Sequence, residues 1–389
     1  MSCRILLFAA AIFALSSCQI SKQKKQQVTQ VIEVKKDNSI NCDDVVNRCA
    51  LSTPYQAVYA QTLIDGKNRA QLVDHGSDAL AIRLHLMRSA KKSIEIQTFI
   101  WANDDAGHLM IRELLSAAKR GVKVRVIIDQ MFSMGSPKFV AEISTLHENL
   151  SFRMYNPVFG EADTSPLDFV GALACCLASM NKRMHNKVFV VDGQYGMTGG
   201  RNYQSRYYDW DEGFNYKDRD VLAIGPEVSE MVNSFESFWA SEHVVPTEYL
   251  LDVSQRILSG NVAHHDWKKP YDEKAQLKVQ QATDIKSINN NWIPELVTVN
   301  QLDFFSDSHD KPFNKESRKK NKQLTESINQ LIMSTESKLL MQTPYLVFSK
   351  KARKILKKLR KRSPDFELTV STNSLASTDA FYVYAISLK

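Results

Sequence analysis

Apolar and polar positions alternate through Ser93-Ile-Glu-Ile-Gln-Thr-Phe-Ile100, the period of a strand with one face buried. The period then lengthens. Ile111, Leu114, Leu115 and Ala118 recur at i, i+3, i+4 and i+7, which predicts an amphipathic helix over 106–120. Gly121 stops that helix in the manner of a C-cap, and Val122 to Ile128 follows as a buried strand ending at Asp129. The same reading places a helix over 138–148 and strands over 152–155, 187–191 and 221–224. A further helix covers 226–239, with Pro226 at its first turn. Such alternation predicts an α/β fold, a mixed β-sheet flanked by helices.

The pattern then recurs. Ser89-Ala-Lys-Lys-Ser-Ile-Glu-Ile-Gln-Thr aligns with Ser334-Thr-Glu-Ser-Lys-Leu-Leu-Met-Gln-Thr, so Gln97 and Gln342 stand 245 positions apart. At that offset Met110, Ile111 and Leu114 meet Ile355, Leu356 and Leu359, the apolar face of the next helix. Both copies continue into an apolar strand, which predicts two homologous halves. Residues 246–320, polar and weakly patterned, read as an irregular connection between them, with His264 and His265 in a surface loop.

A composition of 43% hydrophobic and 24% charged residues excludes a disordered chain and leaves ample core. The net charge of +7 is uneven. Between Lys311 and Arg362 sixteen Lys and Arg face three Glu, a local excess of +13 that leaves the remainder at −6. That segment suits phosphate-bearing partners, whether lipid headgroups or nucleic acid. At the amino terminus Arg4 and the apolar run Ile5 to Leu15 are too short to span a bilayer and read as a secretory signal. Ser21 to Lys36, rich in Lys and Gln, reads as a flexible tether.

The run Leu15-Ser16-Ser17-Cys18 resembles a bacterial lipobox, which implies that Cys18 is diacylated and becomes the first mature residue. Gln19 after it, in place of Asp, implies the outer rather than the inner membrane of a bacterial envelope, with the protein facing the periplasm. In that oxidising compartment Cys42 and Cys49 are a candidate disulfide, whereas Cys175-Cys176 in an apolar run read as packing residues. Neither C-x-x-C nor H-E-x-x-H occurs, so no metal or other cofactor is expected.

The stretch that carries chemistry runs from His185 to Asn202 and reads H-x-K-x4-D-x6-G-G-x-N. Alternate residues of a strand share a face, so His185, Lys187 and Phe189 are expected to point together. Asn202 can return to the same place after Gly199-Gly200, whose missing side chains permit close approach to a ligand. An imidazole, an ammonium and an amide converging on one spot make a cradle for phosphate.

These residues resemble the HKD signature of the phospholipase D superfamily, nearest to its bacterial phospholipase D-like and cardiolipin synthase-like members. Ser93 to Trp101, Gly121 to Asp129, Met184 to Lys187, Phe235 to Trp239 and Gln342 to Tyr345 also fit, over roughly 79–241 and from Thr325 onward. The resemblance implies that His185 attacks a phosphodiester phosphorus and becomes a phosphohistidine, with Lys187 and Asn202 holding the phosphoryl oxygens. Asp192 is expected to brace the strand or turn. A nucleophilic imidazole also needs an acceptor on its second nitrogen. Asp218 is the first candidate, then Asp220, then Asp209, Asp211 and Glu212.

In the family two such motifs meet, and their histidines serve as nucleophile and leaving-group acid. The offset of 245 puts the second near position 430, and no second HxKxxxxD occurs up to Lys389, so the chain is expected to be truncated. The expected segments are a signal (1–18), a tether and N-terminal segment (19–75), a phospholipase D-like half (76–245), a connection (246–320) and an incomplete second half (321–389). The expected partners are a phospholipid membrane and an anionic phosphodiester, with a homodimer as a further candidate and nucleic acid ranked lower. The rivals are a metal-independent nuclease using the same residues and an inactive membrane-anchored remnant.

Overall fold

Val- and Ile-rich runs such as Lys123-Val-Arg-Val-Ile-Ile-Asp129 become central strands because both of their faces are covered. The computed structural model describes residues 20–42, 49–131, 133–163, 182–310, 322–346 and 348–374. These fall into two units that part between His309 and Asp310. The segment expected to be a signal (with Cys18), the Cys175-Cys176 pair and part of the basic stretch lie outside the described residues.

The first unit opens with α1 (Lys22–Lys35), α2 (Tyr55–Asp65), β1 (Asn68–Val73) and α3 (Gly76–Ser89). Next come β2 (Ser93–Thr98), α4 (Asp105–Lys119), β3 (Lys123–Asp129), α5 (Pro137–Ile143) and β4 (Leu150–Tyr155). Then follow β5 (Val188–Val191), β6 (Tyr195–Gly199), β7 (Asp220–Ile224) and α6 (Val228–Trp239). It closes with β8 (Val244–Pro246), α7 (Leu251–Ser259), α8 (Glu273–Thr283) and β9 (Val297–Val299).

The nine strands form one sheet in the order β8-β4-β3-β2-β5-β6-β7-β1-β9. Strands β2, β3 and β4 are parallel neighbours, and every other pairing is antiparallel. A large core on one side gathers Leu109, Ile111 and Leu114 of α4 with Ile94, Ile96 and Phe189 of the sheet. On the other side α6 lays Val228 and Met231 over Val188, Val190 and Ala223.

Three segments differ from the sequence reading. The segment expected as a flexible tether is helix α1: Ser21 Oγ caps it by accepting from Lys24 N (3.2 Å), and Val28 and Ile32 are buried. Two apolar residues at i, i+4 suffice because the docked face finds a partner, the Thr29 hydroxyl meeting Tyr249 Oη at 2.9 Å. The helix expected over 138–148 ends at Ile143. The Ser144 hydroxyl donates back to the Val140 carbonyl (2.7 Å) and the Thr145 hydroxyl to that of Glu142 (2.8 Å), side-chain bonds that compete with helix continuation.

The stretch after 246, expected to be irregular, is part of the first unit through residue 309. Ala275 and Ala282 of α8, with Ile288 and Trp292 beyond it, are buried, and the Ala282 carbonyl lies 2.9 Å from His85 Nδ1. The stretch also supplies β9, which pairs with β1. Nor is His265 a loose surface residue, since its Nδ1 lies 2.5 Å from the Glu142 carboxylate beside Trp267.

In the second unit α9 (Lys322–Ser334) precedes β10 (Lys338–Thr343), α10 (Lys350–Arg362) and β11 (Glu367–Thr372). Strands β10 and β11 are parallel, as β2 and β3 are, so β10–α10–β11 repeats β2–α4–β3 in order and direction. Among the described residues no helix is long and apolar enough to cross a membrane.

Candidate active site

The motif segment is held at both ends before any chemistry enters. At the C-terminal end of β3 the Asp129 carboxylate is fully buried. It accepts the N–H groups of Met131 (2.9 Å) and Met184 (2.8 Å) and pairs with the Arg183 guanidinium at 3.2 Å. Arg183 also donates to the Asn156 carbonyl at 2.9 Å, so the chain is fixed immediately ahead of His185. Burial pushes the Asp129 carboxyl up to about 6, against Arg183 and the two N–H groups, which favour its ionised form.

At the far end Asp192-Gly193 makes the tight turn between β5 and β6, with φ of 55° and 67° and Gln194 N donating to the Val191 carbonyl at 3.0 Å. Three residues, 192–194, thus join the paired Val191 and Tyr195, and Asp-Gly suits the positive φ at both central positions of the turn. The Asp192 carboxylate accepts from the N–H groups of Lys91 (2.9 Å), Lys92 (2.7 Å) and Ser93 (2.9 Å). Five residues of extended chain put it roughly 16 Å from Lys187. It therefore fastens the hairpin to the start of β2 and touches nothing bound at Lys187.

Between these anchors His185 is exposed, and its ring stacks on Phe99, centroids 4.1 Å apart and planes inclined at 28°. Lys187 Nζ stands 3.5 Å from His185 Nδ1, donates to the His185 carbonyl at 3.0 Å and lies 5.6 Å from the Phe99 ring centre. Both residues lie on the extended lead-in to β5, whose pairing begins at Val188, and not within the strand as expected. Phe189, expected on their side, is packed into the main core. The lead-in is tied separately, the Thr198 hydroxyl donating to the Lys187 carbonyl (2.7 Å) and Asn186 Nδ2 to that of Asp307 (3.3 Å).

Asn202 is buried. Its Oδ1 accepts from Ile100 N (3.1 Å), the residue after Phe99, and its Nδ2 donates to Tyr207 Oη (2.9 Å). Gly199 and Gly200 leave room, but the room is taken by the protein. A Cβ on Gly199 would lie 2.1 Å from Asp220 Oδ1, and one on Gly200 would lie 2.0 Å from Asp218 Oδ1. The Asp218 carboxyl is raised above the ordinary carboxylate range by burial and by Asp220, while the Arg219 N–H, Arg201 and Lys187 pull it down. Lys187 is thus in its electrostatic reach. The other acids of this stretch serve the loop: Asp209 accepts from Ser77 N (3.1 Å), Asp211 from Gly213 N (2.9 Å), and Glu212 pairs with Lys274 (2.7 Å).

Residues 84–239, the span containing Phe99, Asp129, His185, Lys187, Asp192, Asn202 and Asp218, match the family described as cardiolipin synthase, PLD-like domain. They are a phospholipase D-like domain. The chain is 31% identical over 342 residues to an uncharacterized protein of Helicobacter pylori strain 26695, covering 86% of this chain and 65% of that protein. It is 28% identical over 313 residues to cardiolipin synthase C of Escherichia coli K12, covering 79% and 63%. The chain thus spans a little under two thirds of the length of these relatives. In fold it is similar to the crystal structure of phosphatidylserine synthase from Haemophilus influenzae Rd KW20, with a TM-score of 0.51 and 16% identity over 83% of this chain and 67% of that one.

Within the phospholipase D-like domain several residues that build the site escaped the sequence reading. Phe99, one residue past the end of β2, floors the imidazole, and its place in the alternating run Ser93 to Ile100 could have suggested it. Arg201, an unassigned position of the motif, is 1% exposed. It donates to the carbonyls of Val73 (2.9 Å), Asp74 (2.6 Å) and Asp218 (2.5 Å) and pairs with buried Asp220 at 3.3 Å. Arg83 of α3 meets the same Asp220 at 3.0 Å. Asp220, second among the expected orienters, is therefore the centre of a buried Arg-Asp-Arg cluster that supports the Gly199-Gly200 backbone. Cys42 and Cys49 are joined, with Cα atoms 6.0 Å apart. Among the described residues no group of three or more His, Cys, Asp or Glu is placed to hold a metal ion.

Proposed function

We propose that the protein hydrolyses or transfers a phosphatidyl group of a glycerophospholipid through a phosphohistidine on His185. The observation that carries this reading is the pairing of His185 and Lys187, 3.5 Å apart at an exposed mouth and sharing the Phe99 face. A phosphate entering there draws the Lys187 ammonium onto its oxygens and leaves a ring lone pair facing phosphorus. The N–P bond forms as the P–O bond to the leaving alcohol breaks, and that oxygen takes a proton from a general acid. In the family a second histidine fills that role, at the position the repeat places near 430. Water or an acceptor alcohol then attacks phosphorus and gives its proton to the conjugate base of that acid, and the N–P bond breaks to return the imidazole to its starting state. Phe99 holds the ring plane, while Asp218 acts on the charge of the pocket through Lys187. Cys18, when acylated, would keep the site at a lipid surface of the envelope.

The test offers the protein labelled phosphatidylglycerol, and in parallel single-stranded DNA, with the wild type, His185→Ala and Lys187→Ala. The expected result is lipid turnover that falls by roughly 10³-fold or more without His185, together with an acid-labile labelled protein that the variant does not form. Equal turnover by His185→Ala ends the proposal. Cleavage of DNA without lipid turnover moves the residues to a nuclease, and binding without turnover of either supports the remnant.

A further inference from the structure

The second unit carries a surface that the chemistry at His185 does not use. Helix α10 starts at Ser349, whose Oγ accepts from Ala352 N at 3.1 Å. Its apolar positions Ala352, Ile355, Leu356 and Leu359 fall within an arc of roughly 100° at 3.6 residues per turn, and Leu359 is fully buried. The remaining positions of the helix hold nine cations and no acid: Lys350, Lys351, Arg353, Lys354, Lys357, Lys358, Arg360, Lys361 and Arg362. All nine are exposed. Arg362 donates to the carbonyls of Met333 and Thr335, and among the described residues no carboxylate pairs with any of the nine.

Nothing in the repeat requires this. The counterpart helix α4 buries Leu109, Glu113, Leu115 and Ala117, where α10 has Lys354, Lys358, Arg360 and Arg362. Glu113 in α4 is neutralised by Arg88 at 2.7 Å, whereas its counterpart Lys358 adds to a like-charged row. Like charges three and four residues apart oppose helix formation, so the pattern works against the helix unless an external polyanion meets it.

We propose that the exposed face of α10 docks on an anionic bilayer surface, resting on the phospholipid reading of the active site. A helix of 13 residues is about 20 Å long, and Lys354, Lys357, Lys358 and Lys361, on the side opposite the apolar arc, form a row that an array of phosphate headgroups can meet. The helix has no aromatic side chain on which a base could stack, which argues for lipid over single-stranded nucleic acid.

Binding of the whole protein to phosphatidylcholine vesicles with and without phosphatidylglycerol tests this, in a Cys18→Ser background so that no acyl chain contributes. Each Lys near such a surface adds about 1 kcal/mol, or about fivefold. The variant Lys354→Gln/Lys357→Gln/Lys358→Gln/Lys361→Gln is therefore expected to bind phosphatidylglycerol vesicles at least tenfold more weakly, while the same four Lys→Arg keep wild-type binding. His185→Ala should bind normally. Loss of binding in the Gln variant of a protein with no lipid turnover leaves the docking face standing and removes the catalytic reading. Wild-type affinity in the Gln variant, equal binding to pure phosphatidylcholine, or preference for an oligonucleotide at equal phosphate overturns the docking face.

Discussion

Replacing Gly200 by Ala moves a single carboxylate without deleting it. The new Cβ would stand 2.0 Å from Asp218 Oδ1, 2.5 Å from its Cγ and 2.6 Å from Oδ2, where ordinary contact begins near 3.4 Å. The carboxylate must therefore retreat by about 1.4 Å, the difference between those two distances. That retreat gives up its 3.1 Å bond from Arg219 N and alters its spacing to Lys187. Overpacking of this size costs about 1–3 kcal/mol of stability, and a misplacement of about 1 Å at a reacting centre can cost about 10²-fold in rate. Melting curves and kcat/KM on phosphatidylglycerol are measured for Gly200→Ala, Asp218→Ala and the double variant. Removing the Asp218 carboxylate removes the clash, so the double variant should be more stable than additivity predicts by about 1–3 kcal/mol. If Gly200→Ala costs the same stability whether or not Asp218 is present, the reasoning is wrong. Unchanged kcat/KM in a stably folded Gly200→Ala would remove Asp218 from the site.

Asp192→Ala leaves the N–H groups of Lys91, Lys92 and Ser93 without their acceptor and should destabilise the protein by about 1–3 kcal/mol or more by urea titration; a smaller cost in Asp192→Asn is expected, because Asn retains an acceptor and tolerates the positive φ. Burial raises the Asp129 carboxyl from 3.8 to about 6 in the native state, so the native protein binds the extra proton between those values. The stability from this group is complete below about pH 4 and is lost as pH rises through about 6. Melting temperatures across that window should fall for the wild type relative to Asp129→Asn, and parallel curves would refute the assignment. Reduction of Cys42–Cys49, which are seven residues apart, should lower stability by about 2.5 kcal/mol, and Cys42→Ser should make the protein insensitive to reductant.

Much of the first unit could be read in the sequence because its strands and helices are specified locally. The alternation in 93–100 and the apolar stripe of 106–120 became β2 and α4 to within two residues at each boundary. What the sequence hid was set by tertiary partners. Val28 and Ile32 are too few to announce a helix, and α1 is recognisable only with Tyr249 and α7 beside it. The weak pattern of 273–292 similarly conceals Ala282, a small residue that becomes core only where α8 meets His85 of α3, and the isolated Trp292. At the site, His185 and Lys187 were legible from their spacing. The strand-face argument located them only approximately, because Lys187 ends a lead-in tied by Thr198 before strand pairing starts. Arg183 and Arg201 could not be assigned, since their roles come from partners tens of residues away that the fold brings together.

The two outermost strands of the large sheet, β8 beside β4 and β9 beside β1, both come from chain beyond Trp239, where the family match stops. A protein shortened to the matching span would strip β4 bare and, lacking 68–73 as well, would leave β7 without its neighbour. Uncapped ladders of that kind recruit other chains by strand addition. The smallest self-sufficient version of this sheet is thus set by its borders and not by its motif: it must reach from β1 to the far side of Val299, and dissection studies that stop sooner would expose ladders prone to aggregation.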